Sequence, residues 1–277
     1  MREIIRAKNS GFCFGVERAV HDSFGFITTH GRAYTLGPLI HNKDVIQKLE
    51  NQGILEISIN DVEKLKEEDT VIIRTHGVPM AVYDELKARK IHIEDLTCPY
   101  VINIQRKVKD YYDRGYNIVI LGDANHPEII GINGYCENSA YITKSGALDL
   151  PLKGKLCVVA QTTEKQSNWE TLIGNLAKVS KEFVAINTIC KATEDRQKSA
   201  EELSKEVDAM IVIGGKASSN TTKLYEICKR NCPLTFHIEN AKEIGTIKEK
   251  IKKAVRVGVT AGASTPEWII KEAMENL

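Results

Sequence analysis

Three cysteines in this sequence stand immediately before segments with a helical pattern, and each is followed at the same distance by a polar loop. The cysteines are Cys13 in SGFCFGV, Cys98 in LTCPYV and Cys190 in NTICKAT. The polar residues that lie 28 positions after them are His41, His126 and Ser218, in that order. A fixed offset that recurs three times indicates three copies of one structural unit.

A second polar cluster follows further along each copy. It begins 63, 64 and 74 residues after the cysteine, at His76, Thr162 and Ser264. Serine and threonine after a strand are also typical N-caps of the next helix, and any one of these loops fits that simpler role. Capping alone does not explain why histidines take equivalent places in two of the copies.

Three thiolates that meet at one place would hold a metal centre. None of the three cysteines belongs to a C-x2-4-C knuckle of the kind that closes structural zinc sites. The one close pair, Cys228 and Cys232, has a spacing that fits a helical face, and we interpret it as structural. A 4Fe-4S cluster normally has four cysteine ligands, so three would leave one iron open as a Lewis acid.

The side chains in the polar loops indicate which kind of substrate would bind beside that iron. Neutral donors at helix N-termini suit a diphosphate or a carboxylate, and the candidates are His41, His76, Ser218, Ser219, Asn220 and Ser264. The second copy differs because the HPE motif places His126 beside Glu128, with Thr162 in its other loop. Glu128 is therefore the candidate proton donor. A carboxylate that only complements a helix dipole is the alternative.

Short apolar runs rich in β-branched residues alternate with longer helical patterns along the chain. The runs are AYTLG, TVIIRT, NIVILG, KLCVVAQ, AMIVIGG and VRVGVTAG. This pattern predicts buried parallel strands with helical crossovers, an α/β fold. We expect three small parallel-sheet domains, 14–97, 98–189 and 190–277, with 1–13 packing on the third, arranged around a pseudo-threefold axis so that the loops face a common centre.

Composition excludes several classes of protein. The chain has 277 residues, 42% hydrophobic and 27% charged, with a net charge of +1, so it has neither a basic field for nucleic acid nor a polybasic face for lipid. We see no apolar signal core at the N-terminus and no window near the roughly 20 apolar residues that span a bilayer. The expected location is the cytoplasm, where seven cysteines would stay reduced.

Nine ordered motifs between residues 11 and 268 resemble the 4-hydroxy-3-methylbut-2-enyl diphosphate reductase family of the LytB/IspH type. They are GFCFGVERAV, GPLIHN, RTHGV, TCPYV, HPEIIG, QTT, TIC-x-AT, SSN and GAS-x-P-x-W. The resemblance implies a trefoil of three α/β domains around a central 4Fe-4S cluster. It also implies a two-electron, two-proton removal of the allylic hydroxyl of the substrate, which gives isopentenyl and dimethylallyl diphosphates.

Transferred position by position, the family pattern makes Cys13, Cys98 and Cys190 the cluster ligands. The diphosphate would be held by His41, His76, Ser218, Ser219, Asn220 and Ser264. The hydroxymethyl end would be surrounded by His126, Glu128 and Thr162, although the motif QTT leaves open whether Thr162 or Thr163 faces the substrate. The resemblance also implies reduced ferredoxin or flavodoxin as the electron donor.

Three other functions are compatible with three cysteines. A hydro-lyase would use an open iron only as a Lewis acid, without consuming a reduced donor. An iron-sulfur sensor or carrier would not need the His, Ser and Asn donors. A zinc hydrolase would differ in the metal that the protein contains.

Overall fold

The computed structural model of the chain describes residues 2–147, 152 and 154–277. In that part of the chain, twelve β-strands and nine α-helices alternate, and every strand pairing is parallel. The predicted α/β class is confirmed.

The six apolar runs of the sequence are all strands. They are β2 (Ala33–Leu36), β4 (Thr70–Ile73), β6 (Asn117–Leu121), β8 (Leu156–Ala160), β10 (Ala209–Ile213) and β12 (Arg256–Ala261). Six further strands of three or four residues accompany them: β1 (Glu3–Arg6), β3 (Ile54–Ile57), β5 (His92–Asp95), β7 (Tyr141–Thr143), β9 (Phe183–Ala185) and β11 (Thr235–Ile238).

The helices follow the strands and cover the sheets. They are α1 (Phe14–His30), α2 (Lys43–Glu50), α3 (Met80–Ala88), α4 (Pro99–Asp113), α5 (Pro127–Asn133), α6 (Gln166–Val179), α7 (Lys191–Ser204), α8 (Ser219–Asn231) and α9 (Glu267–Glu275). Among the residues described, no helix is long and apolar enough to cross a membrane.

The strands form three four-stranded sheets. Sheet 1 has the order β3-β2-β4-β5, sheet 2 the order β7-β6-β8-β9, and sheet 3 the order β1-β12-β10-β11. Each central pair consists of two of the predicted strands, and each edge strand is one of the six further strands. In sheet 3, Ile4 of β1 lies opposite Val257 of β12, so the N-terminal strand extends the sheet that the C-terminal part of the chain forms.

The chain divides into two compact units. The terminal unit contains sheet 3 and comprises the segments up to Glu17, Ile40–Gln47 and Lys191–Leu277. The central unit comprises Arg18–Leu39 and Lys48–Cys190 and contains sheets 1 and 2. The boundaries predicted for three repeats remain a prediction.

Hydrophobic burial is concentrated on the central strands. All five residues of β8 and of β10 are buried, as Val and Ile side chains from both faces pack against the flanking helices. Such strands stabilise the sheet because β-branched side chains fit a pleated surface covered on both sides. The polar candidate residues, among them His41, His126 and Ser218, lie after the carboxyl ends of the central strands. The strands therefore determine where the candidate site residues are placed.

Candidate active site

Each of the three candidate cysteines lies in a loop that follows the carboxyl end of a strand and leads into a helix. Cys13 precedes α1, Cys98 is the N-cap residue of α4, and Cys190 precedes α7. Proline at the first position of α4 suits this geometry, because the main-chain N–H that proline lacks would have no partner within the helix at that position. The carboxyl ends of parallel strands are where α/β proteins bind ligands.

The same main-chain hydrogen bond recurs at all three cysteines. In the terminal unit, the N–H of Cys13 donates to the carbonyl oxygen of Ala263 at 3.2 Å. In the central unit, the corresponding bonds run from Cys98 to Thr75 and from Cys190 to Thr162, both at 3.0 Å. Each acceptor lies in the second polar loop of a different copy from its cysteine. Ala263 of the third copy and Thr75 of the first are one residue before Ser264 and His76, and Thr162 belongs to the second copy.

Burial separates these three cysteines from the other four. Cys13, Cys98 and Cys190 are half-buried, whereas the remaining cysteines are fully buried: Cys136, Cys157, Cys228 and Cys232. Burial raises the pKa of the Cys157 and Cys228 thiols to about 12, which keeps them protonated at neutral pH. Full burial is typical of cysteines that act as small hydrophobic side chains, and it agrees with the structural interpretation of Cys228 and Cys232.

Glu128 and Thr162 form a doubly hydrogen-bonded pair in the central unit. The Thr162 N–H donates to Oε1 of Glu128 at 2.7 Å, and Thr162 Oγ1 donates to Oε2 at 2.6 Å. Glu128 is only 2% exposed, in the first turn of α5. The carboxylate is therefore held in one orientation and does not merely complement the helix dipole from solvent.

His126 caps the helix that carries Glu128. Its Nδ1 accepts the Glu128 N–H at 3.1 Å, which leaves Nε2 as the ring nitrogen that bears the proton. The rings of His126 and His76 lie edge to face with their centroids 5.3 Å apart. The first turn of α5 and the loop after β4 are thus neighbours within the central unit.

The two threonines of the QTT motif have different partners. Thr162 bonds Glu128, while the Thr163 hydroxyl accepts a hydrogen bond from Nε2 of Gln161 at 2.9 Å. Gln161 is fully buried, and its Oε1 also accepts the N–H of Asp123 at 3.1 Å. Sequence reasoning missed Gln161, although its position one residue before Thr162 was the available signal.

The SSN motif opens helix α8 in the terminal unit. Ser218 is the N-cap, and its Oγ accepts the Thr221 N–H at 3.4 Å, so it does satisfy the simpler capping role. Ser219 is the first residue of the helix. Asn220 is different, because it is 3% exposed and both of its side-chain amide atoms lack a partner among the described residues. A buried polar group without a partner is costly and calls for a ligand.

Ser264 and His41 meet in the same unit. The Ser264 hydroxyl donates to the main-chain carbonyl of His41 at 3.2 Å. Gly215 lies against that carbonyl so closely that a Cβ at this position would overlap the oxygen. Glycine is therefore required here to let the His41 segment pass close to the loop after β10.

The structure brings the candidates together in groups. In the central unit, the groups are Cys98 with the His76 loop, His76 with His126, Glu128 with Thr162, and Cys190 with Thr162. In the terminal unit, they are Cys13 with the Ser264 loop, Ser264 with His41, and Ser218, Ser219 and Asn220 at the start of α8.

Comparison with known proteins identifies the family. The family model described as "LytB protein" matches residues 4–277. A protein of Clostridium perfringens strain 13 named 4-hydroxy-3-methylbut-2-enyl diphosphate reductase is 52% identical over all of this chain and 98% of its own length. A reductase of the same name from Clostridium tetani is 54% identical over 98% of this chain, which spans 43% of that longer protein.

Solved structures agree with the family model. One, of (E)-4-hydroxy-3-methyl-but-2-enyl diphosphate reductase, is 41% identical with a TM-score of 0.71 and covers 100% of this chain and 99% of its own. A second, the E-1-hydroxy-2-methyl-but-2-enyl-4-diphosphate reductase of Plasmodium falciparum, is 26% identical with a TM-score of 0.91, over 99% of this chain and 87% of its own. The chain thus belongs to the LytB family of iron-sulfur enzymes and is an oxidoreductase.

Proposed function

We propose that this protein reduces 4-hydroxy-3-methylbut-2-enyl diphosphate to isopentenyl and dimethylallyl diphosphates. The allylic C–O bond breaks, two electrons and two protons are taken up, and the oxygen leaves as water. One proton completes the water molecule and the other is added to the allylic carbon skeleton. The position of that second proton decides which of the two products forms.

The observation that carries this proposal is the hydrogen bond that recurs at Cys13, Cys98 and Cys190. It joins the main chain of each half-buried cysteine to a loop in which the sequence places a candidate substrate-binding residue. Three equivalent thiols, each beside a polar loop, are what a cluster with three protein ligands requires. The four other cysteines are buried and are not proposed as ligands.

These residues fit a 4Fe-4S cluster by the chemistry of their donor set. Three thiolates satisfy three irons, and the resulting cluster would supply electrons together with one open iron as a Lewis acid for the substrate hydroxyl. Zinc is less well supported, because Cys13, Cys98 and Cys190 are widely separated in the sequence and none belongs to a C-x2-4-C pair.

Asn220 supports the assignment of the diphosphate subsite. Its amide can donate and accept hydrogen bonds, it lies in the first turn of α8, and its atoms have no partner in the described part of the protein. A diphosphate oxygen would satisfy the donor and benefit from the positive end of the helix dipole. The full set proposed to hold the diphosphate is His41, His76, Ser218, Ser219, Asn220 and Ser264.

Glu128 is proposed to deliver the protons. Its carboxylate is buried and fixed by Thr162, whose hydroxyl is the group through which a proton can pass toward the hydroxymethyl end. His126 offers an N–H at Nε2, suited to orienting an oxygen. Diphosphate binding elsewhere would fix the reacting end against these residues, so that binding energy is converted into orientation.

We infer that the electrons come from reduced ferredoxin or flavodoxin, and that the protein works in the cytoplasm without nucleic acid or membrane partners. The net charge of +1 supports the inference that nucleic acid and membranes are not partners, because it provides no strong positive potential to attract a polyanion.

Anaerobic turnover with the diphosphate substrate and a reduced donor tests the proposal. We expect both products to form, donor oxidation to match two electrons per product, and iron and sulfide to be present in equal amounts. Single replacements Cys13→Ser, Cys98→Ser and Cys190→Ser should lose iron and activity, while Cys157→Ala should keep both. Turnover without donor consumption would indicate a hydro-lyase, iron without turnover a sensor, and zinc alone a hydrolase.

A further inference from the structure

Arg196 is a buried arginine on helix α7 that holds two segments of main chain. It is 6% exposed. Its Nε and Nη2 atoms donate to the carbonyl oxygen of Gly11 at 3.2 and 2.9 Å, and its Nη1 atom donates to the carbonyl oxygen of Ala192 at 2.6 Å. All three residues belong to the terminal unit.

Both acceptors lie next to candidate ligands in the sequence. Gly11 is two residues before Cys13, and Ala192 is two residues after Cys190. The guanidinium therefore fixes the main chain that leads into one cysteine and the first turn of the helix that follows another. Two charge-assisted bonds from one planar fork to a single carbonyl set both its position and its direction.

The loop that contains Gly11 is constrained from other sides as well. Gly11 has φ +90°, and a Cβ there would lie 3.0 Å from Cδ1 of Ile270. Its N–H donates to Ala261 at 3.3 Å, and the N–H of Asn9 donates to Oγ of Ser199 on α7 at 3.2 Å. The segment before Cys13 is thus hydrogen-bonded to β12 and to α7. The bonds from Arg196 are the ones with a charged donor.

Burying a guanidinium is costly, and the group stays protonated at any physiological pH. A fixed positive charge in a medium of low dielectric constant stabilises negative charge nearby. Reduction adds negative charge to an iron-sulfur cluster, and net charge and hydrogen bonding in the surroundings set its potential.

We propose that Arg196 is a positioning residue with two effects: it holds the Cys13 loop in the conformation that binds iron, and its charge makes the bound cluster easier to reduce. This inference rests on the proposed function, since it requires the cluster. The electron still comes from the external donor, and Arg196 neither gains nor loses a proton.

The test uses full-length protein reconstituted anaerobically, with Arg196→Met and Arg196→Lys beside Arg230→Met, which removes an exposed arginine of the same unit. We expect Arg196→Met to lose iron to a chelator on the order of tenfold faster than wild type, because charge-assisted bonds are lost. Its midpoint potential should be more negative. Arg196→Lys keeps the charge without the fork, so it should lose iron faster with a potential close to wild type. Arg230→Met should match wild type in both measurements.

A second readout does not depend on the cluster. In metal-free protein, amide hydrogen exchange at Cys13 should be faster in both Arg196 variants, because the loop that presents this N–H is loosened. If Arg196→Met does not fold, Arg196→Gln gives the same potential measurement with a neutral side chain. Unchanged potential and unchanged chelation rate in a variant that lacks the charge would overturn the inference alone. Wild-type protein that takes up no iron and sulfide would overturn the proposed function with it.

Discussion

Thr162 holds both carboxylate oxygens of Glu128, one through its main-chain N–H and the other through its hydroxyl. The two residues are 34 positions apart: Thr162 lies in the loop after β8, and Glu128 lies in the first turn of α5, the helix that follows β6. Because β6 and β8 are adjacent strands of sheet 2, their carboxyl ends bring these loops together. The two bonds therefore fix the orientation of the Glu128 carboxylate relative to the Thr162 hydroxyl.

Replacing Glu128 by Gln should abolish proton delivery while preserving the fold. The amide oxygen can still accept the Thr162 N–H, so we expect diphosphate affinity close to wild type and turnover lowered about 10²- to 10⁴-fold. Glu164→Gln is the matched control, since Glu164 is 1% exposed and an amide oxygen can still accept the hydrogen bonds that Lys165 and Asn168 donate to Oε1. Steady-state turnover and calorimetric binding compare the two. Equal turnover would remove Glu128 from the proton path.

Thr162→Val tests the hydroxyl by itself. Valine keeps the shape and the main-chain bond but loses the 2.6 Å bond to Oε2 of Glu128. We expect turnover to fall on the order of tenfold or more, the value of a hydrogen bond to a charged group. Thr163→Val loses the bond from Gln161 and leaves the Thr162 bonds to Glu128 in place, so its turnover should stay near wild type. The reverse order of the two variants would assign the role to Thr163.

Thiol alkylation distinguishes the two classes of cysteine without any measurement of activity. In reduced, metal-free protein, Cys13, Cys98 and Cys190 should react with iodoacetamide, because they are half-buried. Burial raises the pKa of Cys136, Cys157 and Cys228, so these thiols should react only after denaturation. Mass spectrometry of the labelled peptides gives the order. Early labelling of Cys157 would contradict it.

Asn220→Leu should separate stability from binding. The leucine removes two buried amide atoms that have no partner among the residues that the structure describes, so the free energy of unfolding should rise by about 1 kcal/mol, a few degrees in Tm. Diphosphate affinity should fall on the order of tenfold, because the ligand loses its hydrogen bonds. Thermal denaturation and calorimetry measure both effects. A variant that binds the diphosphate as wild type does would exclude Asn220 from the subsite.

The lowered pKa of His237 should make the free energy of unfolding depend on pH. Its Nε2 donates to the Gly214 carbonyl at 2.9 Å, and burial lowers the pKa of the ring below its ordinary value. The folded protein favours the neutral ring. The contribution of His237 to the free energy of unfolding is therefore complete above about pH 6.5 and is lost as the pH falls below that value. His237→Gln should flatten this part of the stability profile. His21→Gln, at an exposed histidine, should leave the profile unchanged.

The sequence predicts the centre of each sheet and misses its edges. The six apolar runs are the six inner strands, whose residues are buried on both faces and therefore read as continuous hydrophobic segments. The edge strands are short and half-exposed, as in the exposed and intermediate residues of β5, HIED. Their pairing depends on the neighbouring strand, which local sequence does not reveal.

The same contrast holds for the site. Residues in loops at the ends of inner strands were predictable, because repeated offsets and a shared position mark them. Arg196 was not, because a lone arginine in KATEDRQKSAEEL has the appearance of a solvated helix face. Its burial follows from the approach of Gly11, which is 185 positions away in the sequence. Only tertiary structure reveals a contact of that kind.

The hydrogen bonds from the Cys13, Cys98 and Cys190 amides end on main-chain oxygens of Ala263, Thr75 and Thr162. A carbonyl oxygen is supplied by any residue type, so the frame around each thiol places no demand on the neighbouring side chains. Those side chains are consequently free to specialise, as Thr162 does toward a carboxylate and Ser264 toward the His41 backbone. The same main-chain arrangement can therefore be repeated three times while the side chains beside it differ. One copy can then serve proton transfer and the others can bind an anion.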